Sequence, residues 1–483
     1  MIELKQINFS YADETDGGLK EINLSINKGE CVLLCGRSGC GKTTITRLIN
    51  GLIPNFFNGS LEGSVSINDM DVLNTPIYKI ASHVGSVFQN PRTQFFNVDT
   101  DSEITFGIEN EAIPSEEIKK RLEDTTNALK IEHLRNRNIF ELSGGEKQKI
   151  AFASIYAMNP DIFLLDEPSS NLDMSAIDEL KEQLRLIKKQ GKTVIIAEHR
   201  IYYLMDLVDK IIYLSNGRIK DTFTPDTFTE LSDSARKGMG LRAVDLNHIQ
   251  PEKRSVPHAL PELELKDVSL YYKKRMIMEH INLKASAGEI IGIVGHNGVG
   301  KTTFLRTLCG LHKQYSGDFY WAGAVQGNKE RMKRSYMVMQ DVNYELFAES
   351  VEAECSLGIR NPDYKLIEQT LEDLDMTSYS KRHPNTLSGG QKQRIAVAVS
   401  MICGKELLVF DEPTSGLDFD SMEQVANLIK KISQEKIIFI VSHDYEFLNQ
   451  VCSRVIQFNQ GGVSNDVELS GNSQTIIRSM FGL

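Results

Sequence analysis

No apolar run in these 483 residues approaches the roughly 20 needed to cross a membrane as a helix; the longest, such as Ile437-Ile438-Phe439-Ile440-Val441, have the length of strands. The opening Met1-Ile2-Glu3-Leu4-Lys5 lacks the apolar core of a secretion signal, so the chain is expected in the cytosol unless a partner holds it at a membrane. Positive charge is in short supply: 54 Lys and Arg stand against 65 Asp and Glu, a net charge of −11. That balance argues against a nucleic-acid binder, which usually presents a basic face. The seven cysteines form no CxxC pair and no His-flanked metal spacing, so reduced, structural thiols are expected. Cys31, Cys35 and Cys40 lie close enough in sequence to suggest a metal cluster, but the strand and loop that contain them explain all three. What remains is an ordinary globular composition, 41% apolar and 25% charged, long enough for two or more domains.

The apolar run Cys31-Val32-Leu33-Leu34-Cys35 leads into Gly36-Arg37-Ser38-Gly39-Cys40-Gly41-Lys42-Thr43-Thr44 and then a helix-forming stretch, the setting of a phosphate-binding loop. Gly36, Gly39 and Gly41 let the backbone approach a polyphosphate, and the N–H groups opening the next helix face the anion. Lys42 can reach the outer phosphates, and the Thr43 hydroxyl suits a Mg²⁺ ligand. One such match can be an accident. It recurs after Ile290-Ile291-Gly292-Ile293-Val294 as Gly295-His296-Asn297-Gly298-Val299-Gly300-Lys301-Thr302-Thr303, with the two lysines 259 positions apart.

The rest of each half repeats in the same order. Alternating, antiparallel strand material precedes each loop, with an aromatic at its end: Tyr11 in the first half and, by register, Tyr272 rather than Tyr271 in the second. Each could stack on an adenine ring or simply fill the core. Helices are expected over Thr43–Leu52 and Thr302–Leu311. Gln89 and Gln340 follow short strands, where a glutamine can reach a metal-bound water. Leu142-Ser143-Gly144-Gly145-Glu146 and Leu387-Ser388-Gly389-Gly390-Gln391 read as capping boxes. A cap does not explain two glycines in the first turn, each costing roughly 1 kcal/mol against Ala. Close approach of the backbone to an anion does.

The runs Ile162–Asp166 and Leu407–Asp411 read as strands covered on both faces, and each ends in a carboxylate pair, Asp166-Glu167 and Asp411-Glu412. On a strand the two would point to opposite sides, one to hold Mg²⁺ and one to accept a proton from an attacking water. Ser170-Asn171-Leu172-Asp173 and Ser415-Gly416-Leu417-Asp418 follow, and then His199 and His443, read as γ-phosphate contacts. The offset between copies falls from 259 at the lysines to 251 at the glutamines and 245 at the signature serines, so the second copy is shorter in its middle. The domains are expected at 1–231 and 261–483, with 232–260, carrying Pro251 and Pro257, as a linker.

With these residues assembled, each half resembles an ABC ATPase domain: phosphate loop, glutamine loop, Leu-Ser-Gly-Gly signature, Asp-Glu pair, Ser-x-Leu-Asp loop and switch histidine, twice over nearly the whole chain. Gln89-Asn90-Pro91 with Gln94-Phe95-Phe96 further resembles the duplicated ATPases of energy-coupling-factor (ECF, cobalt-type) importers. The resemblance implies an α/β fold of two tandem P-loop NTPase domains, each with a RecA-like core, a small antiparallel β subdomain for the adenine and a helical signature subdomain. It implies ATP and Mg²⁺ as cofactors and two ATP per chain. One site would pair Lys42, Thr43, Gln89, Asp166, Glu167 and His199 with Ser388, Gly389 and Gly390. The other would pair Lys301, Thr302, Gln340, Asp411, Glu412 and His443 with Ser143, Gly144 and Gly145. Ser38, Gly41, Thr44, Asn297, Gly300 and Thr303 would line the phosphates, and Tyr11 and Tyr272 the bases. Thr43, Gln89 and Asp166, and likewise Thr302, Gln340 and Asp411, would hold the metal. Glu167 and Glu412 would be the general bases.

The expected function is the ATP-hydrolysing subunit of a membrane importer for vitamins or transition-metal ions. It would sit on the cytoplasmic face, docked on an ECF-type transmembrane coupling protein with a substrate-binding membrane subunit. Asn90–Phe96 and Asp341–Phe347, the expected docking segments, differ in sequence, which suggests a partner with two unlike faces. A tandem ABC ATPase acting on ribosomes usually has a long charged linker and basic tails, which are lacking here. The fused ATPase of a sugar importer often has a degraded second phosphate loop, whereas Gly295–Thr303 is intact.

Overall fold

Every residue of Cys31-Val32-Leu33-Leu34-Cys35-Gly36 is buried, which a strand achieves only when both faces of its sheet are covered. The computed structural model describes residues 1–12, 18–252 and 262–483, and these divide into two units, Met1–Val244 and Asp245–Leu483. In the first unit Cys31–Gly36 lies third in a six-stranded sheet ordered Arg218–Phe223, Lys210–Ser215, Cys31–Gly36, Thr193–Ala197, Ile162–Asp166, Val84–Val87. The pairs are parallel except at the Arg218–Phe223 edge. Alternation divides the strand between two cores. Cys31, Leu33 and Cys35 pack with Phe163, Ile196, Phe152 and Leu180 beneath the long helices. Val32 and Leu34 pack with Ile45, Leu48, Ile2 and Val65 on the other face.

That second core joins the sheet to a four-stranded antiparallel layer, ordered Leu19–Ile26, Ile2–Tyr11, Gly59–Ile67, Met70–Asp71. Each fully buried Leu, Ile or Phe contributes about 1.5–3 kcal/mol, so both layers are anchored. The cysteines split the same way, Cys31 and Cys35 to one face and Cys40 to the other, which disposes of the metal-cluster reading. Burial pushes the Cys31 thiol up to about 12.

The second unit repeats the plan. Its antiparallel layer runs Arg275–Ala285, Leu263–Tyr272, Tyr315–Trp321, Ala324–Val325, and its six-stranded sheet runs Ser335–Val338, Leu407–Asp411, Ile437–Val441, Ile290–Val294, Arg454–Asn459, Gly462–Glu468. Phe304 locks the helix Lys301–Leu308 to this sheet, edge-on to Phe458 at 5.0 Å and to Phe439 at 6.3 Å. Beside the first sheet stand the helices Thr100–Glu109, Ser115–Ala128 and Gly144–Met158, and beside the second Val351–Ser356, Tyr364–Asp373 and Gly389–Ile402.

Two boundaries differ from expectation. The helices after the phosphate loops are Lys42–Ile49 and Lys301–Leu308, each ending about three residues early. Gly51 and Gly310 take φ +74°, the left-handed turn with which a glycine ends a helix. Within the expected linker, Asp233–Gly238 is helical, and Leu241 packs into the first unit's core together with Met239 and Val244. The remainder of that linker from 253 to 260, with Pro257, lies outside the described residues, as does Pro261.

Candidate nucleotide sites

The phosphate loop of each unit hangs between a strand end and a helix start. Gly36 and Gly295 both take φ +144°, and a Cβ there would meet a backbone carbonyl oxygen at 2.2 Å, so these glycines serve the fold itself. A Cβ on Gly39 or Gly298 would meet nothing within 4 Å. Those two positions lie open to whatever the loop encloses. Lys42 Nζ bends back to donate to the carbonyls of Gly36 at 3.0 Å and Arg37 at 3.1 Å. Lys301 does the same to Gly295 at 2.6 Å and His296 at 3.0 Å. Each ammonium is thus held over the mouth of its loop.

The hydroxyl after each lysine donates to the carboxylate at the end of the strand two positions away in the sheet: Thr43 to Asp166 at 3.2 Å and Thr302 to Asp411 at 2.7 Å. Burial pushes Asp166 up to about 6; the charge of Glu167 adds to the push, while Thr43 and Lys42 oppose it. Burial likewise raises Asp411, against Thr302 and Lys301. Two hard oxygen donors beside a surplus of buried negative charge fit a Mg²⁺ that completes its shell with water and phosphate oxygens. Among the described residues no group of three or more His, Cys, Asp and Glu could hold a metal unaided.

Glu167 corrects one expectation. It is not a strand residue alternating with Asp166: the strand ends at Asp166, and Glu167 sits at φ +47°. Glu412 repeats this at +53°. A non-glycine residue there costs roughly 1–3 kcal/mol, and strain of this kind persists where surrounding structure over-determines it. The turn in the backbone, not strand alternation, separates the two carboxylates of each pair. Glu167 Oε2 accepts from Gln89 Nε2 at 2.5 Å, and Oε1 lies 3.4 Å from His199 Nε2. Burial works to raise this carboxyl, but the His199 ring, Lys42 and Gln89 outweigh it and hold Glu167 below the usual carboxylate range. In the second unit Glu412 Oε2 accepts from Ser442 Oγ and from the main chain of His443, each at 3.2 Å. His443 Nε2 lies 3.5 Å from Glu412 Oε1 and 3.1 Å from Asn297 Oδ1. The structure therefore brings together Lys42, Thr43, Gln89, Asp166, Glu167 and His199 in one unit, and Asn297, Lys301, Thr302, Asp411, Glu412 and His443 in the other. Gln340 stands just past Ser335–Val338, as Gln89 does past Val84–Val87.

Both signature turns are complete capping boxes. Ser143 N donates to Glu146 at 2.8 Å and Ser388 N to Gln391 at 2.8 Å, so Glu and Gln do the same work here. A Cβ on Gly144 or Gly389 would meet nothing within 4 Å, leaving these first helical N–H groups approachable. Asp173 and Asp418 are ordinary N-caps, accepting from Ala176 at 2.9 Å and Ser421 at 2.8 Å.

The aromatics differ between units although both end the first strand of their sheet. Tyr11 is braced: its hydroxyl is 3.1 Å from Thr44 Oγ1 and accepts from Arg47 at 3.0 Å, and its ring meets Phe9 and Phe57 edge-on. Tyr272 is 57% exposed, with the Lys273 ammonium 5.8 Å from its ring.

The ABC transporter family model matches residues 19–170 and 278–415, two matches that include both phosphate loops and both carboxylate pairs. The chain belongs to the ABC transporter family. It is a duplicated ABC ATPase that binds and hydrolyses ATP on a P-loop fold. A putative ABC transporter ATP-binding protein of Treponema denticola is 49% identical over 474 residues, 97% of each chain. One of the same description from Methanosarcina mazei is 32% identical over 522 residues, 96% of this chain and 88% of its own. Among solved structures, a model of ribosome-bound archaeal Pelota and ABCE1 matches 98% of this chain and 80% of its own with TM-score 0.71, at 19% identity, a likeness of fold.

Three acids of this ABC ATPase escaped the sequence reading. Glu103 and Glu354 lie outside the motifs but share the 251-residue offset of Gln89 and Gln340, which is the signal that could have found them. Glu198 stands where the second unit has Ser442, and a comparison of the two switch segments would have exposed it.

Proposed function

We propose that the chain is the ATP-hydrolysing subunit of an ECF-type membrane importer, docked peripherally on a transmembrane coupling protein that works with a substrate-binding membrane subunit. Vitamins or transition-metal ions are the cargo class in this reading. No helix among the described residues is long and apolar enough to cross a membrane, so a membrane partner has to supply the path. The observation that carries the reading is a pair of outward phenylalanines just beyond the catalytic glutamines, Phe96 at 76% exposure and Phe347 at 71%. Each has another exposed apolar side chain close to it in sequence, Val98 at 57% and Tyr344 at 63%, and in this reading the partner covers them.

In the chemistry proposed for each unit, Lys42 and Lys301 neutralise the outer phosphates of ATP. Thr43, Asp166 and Gln89 would hold Mg²⁺ in the first unit, and Thr302, Asp411 and Gln340 in the second. The ion supplies charge neutralisation and fixes the phosphate oxygens. His199 and His443 contact the γ-phosphate. Ser143, Gly144 and Gly145, with Ser388, Gly389 and Gly390, offer hydroxyl and bare N–H groups to a terminal phosphate. Glu167 and Glu412 accept the proton of the attacking water. In the present conformation Glu167 is tied to Gln89 and His199, and both ties compete with nucleotide and water. Binding would therefore loosen the carboxylate into a working base.

Purification of the full chain from native membranes in mild detergent tests the role. Recovery with small hydrophobic membrane proteins, lost in a Phe96→Glu/Phe347→Glu double variant, supports it. Recovery with ribosomal RNA and no membrane protein contradicts it in favour of a ribosome-directed ATPase.

A further inference from the structure

The two switch segments carry a buried acid on opposite sides of the histidine: Glu198-His199-Arg200 in the first unit, Ser442-His443-Asp444 in the second. Both acids are out of solvent, Glu198 at 2% exposure and Asp444 at 3%. Both reach the loop that follows the base candidate. Thr414 Oγ1 donates to Asp444 Oδ2 at 3.0 Å, and the main chain of Ser169, at the same place in the other copy, donates to Glu198 Oε2 at 3.2 Å.

The swap has consequences along the chain. Asp444 caps the helix Tyr445–Val451 by accepting from Phe447 at 3.1 Å, whereas the first unit has Arg200 there and only the short turn Tyr202–Leu204. Glu198 gathers four donors instead: the main chains of Ser169, His199 at 2.7 Å and Arg200 at 3.1 Å, and the Tyr203 hydroxyl at 3.0 Å. The main-chain N–H of His443 goes to Glu412, while that of His199 goes to Glu198. The carboxylate of Glu167 is thus held by side chains and that of Glu412 partly by backbone.

We infer that Glu198 is a positioning residue of the first unit's ATPase centre. It ties the switch histidine to the loop after Glu167 as one body and takes over the His199 amide, so that Glu167 answers only to groups that nucleotide can displace. The inference rests on Glu167 being the base of the first unit. A buried carboxylate that satisfies four donors is costly to replace, because each donor left unmade is penalised. Removing it misplaces the reacting groups without touching bound ATP, so turnover falls and affinity does not.

Steady-state ATP hydrolysis by the full chain, with thermal unfolding in parallel, tests this in Glu198→Gln, Glu198→Ser/Arg200→Asp and Glu167→Gln. Glu198→Gln is expected to lower kcat to about half or less, the second centre being intact, with KM for ATP within about twofold of wild type. The double variant rebuilds the Ser442/Asp444 arrangement and is expected to recover most of the lost kcat. Wild-type kcat in Glu198→Gln beside an impaired Glu167→Gln overturns the inference alone. Parallel losses of kcat, affinity and melting temperature overturn it too, by showing a purely structural acid. Should Glu198→Gln fail to fold, the double variant decides: folded with near wild-type turnover upholds the inference, folded and inactive overturns it. Wild-type kcat in Glu167→Gln overturns the assignment of the base, and the inference with it.

Discussion

Glu103 Oε2 accepts the main-chain N–H of Phe96 at 3.0 Å, and Glu354 Oε2 accepts that of Phe347 at 2.7 Å. The next residues, Asn97 and Ala348, donate to the same oxygens at 2.8 and 2.7 Å. Each glutamate is buried in the first turn of a helix, and each holds by its backbone a segment whose phenylalanine faces outward. The side chain stays available to a partner while the main chain is fixed to the helical layer.

Cutting that tie should uncouple docking from chemistry. Glu103→Ala/Glu354→Ala leaves the phosphate loops, carboxylate pairs and switch histidines untouched. Hydrolysis by the isolated chain is expected to stay within about twofold of wild type. Recovery of membrane partners in detergent pull-downs is expected to fall by about tenfold, because each segment loses the two main-chain hydrogen bonds that hold it in place for docking. Unchanged recovery would show that the segments are not docking elements.

Each unit should bind its own nucleotide. Lys42 and Lys301 are each held by two loop carbonyls at the mouth of a separate glycine loop. Equilibrium titration is expected to give two ATP per wild-type chain and one in Lys42→Ala or in Lys301→Ala. One ATP in the wild type, or two in either variant, would contradict this.

Glu345 makes a prediction about pH. In the first unit the equivalent Gln94 accepts from Phe88 N at 3.3 Å and donates to Ser86 O at 3.2 Å, stitching its loop to the strand. Glu345 keeps the first bond, from Met339 N at 2.5 Å, but its buried Oε2 has no hydrogen-bond partner. Burial pushes this carboxyl up from 4.5 to about 8, helped by the charges of Glu354 and Asp411 and opposed by Met339 N. The folded chain therefore binds a proton that the unfolded chain releases, so this group's penalty on stability grows as pH rises from 4.5 to about 8 and is complete above it. Glu345→Gln restores the amide and removes the penalty. Its melting temperature is expected to match wild type near pH 4.5 and to exceed it increasingly toward pH 8, by a stability gain on the order of 3–5 kcal/mol. A gain independent of pH would show that the carboxyl does not titrate in this window.

Much of this molecule is legible in its sequence. Strict alternation in Ile22–Ile26 and the unbroken apolar runs at Cys31–Cys35 and Ile162–Leu165 announce one layer with an open face and one with none. The phosphate loops, capping boxes and N-caps are local chemistry, written in consecutive residues. What stayed hidden depends on distant partners or on backbone choices. The left-handed turn at Glu167 has no glycine to signal it. The reach of Glu103 to Phe96 crosses a loop, and Glu198 gathers its donors from two segments. Val244 and Leu241 read as linker because apolar residues scattered among charges show no period, yet Leu241 is part of the first unit's core and Val244 packs against it.

Two competent hydrolysis centres in one chain, one on Glu167 and one on Glu412, are expected of this ABC ATPase. Steady-state ATP turnover of Glu167→Gln and Glu412→Gln, each in the otherwise intact chain, decides this. Either substitution alone is expected to remove about half of the turnover or more. Full activity in either single variant would contradict it.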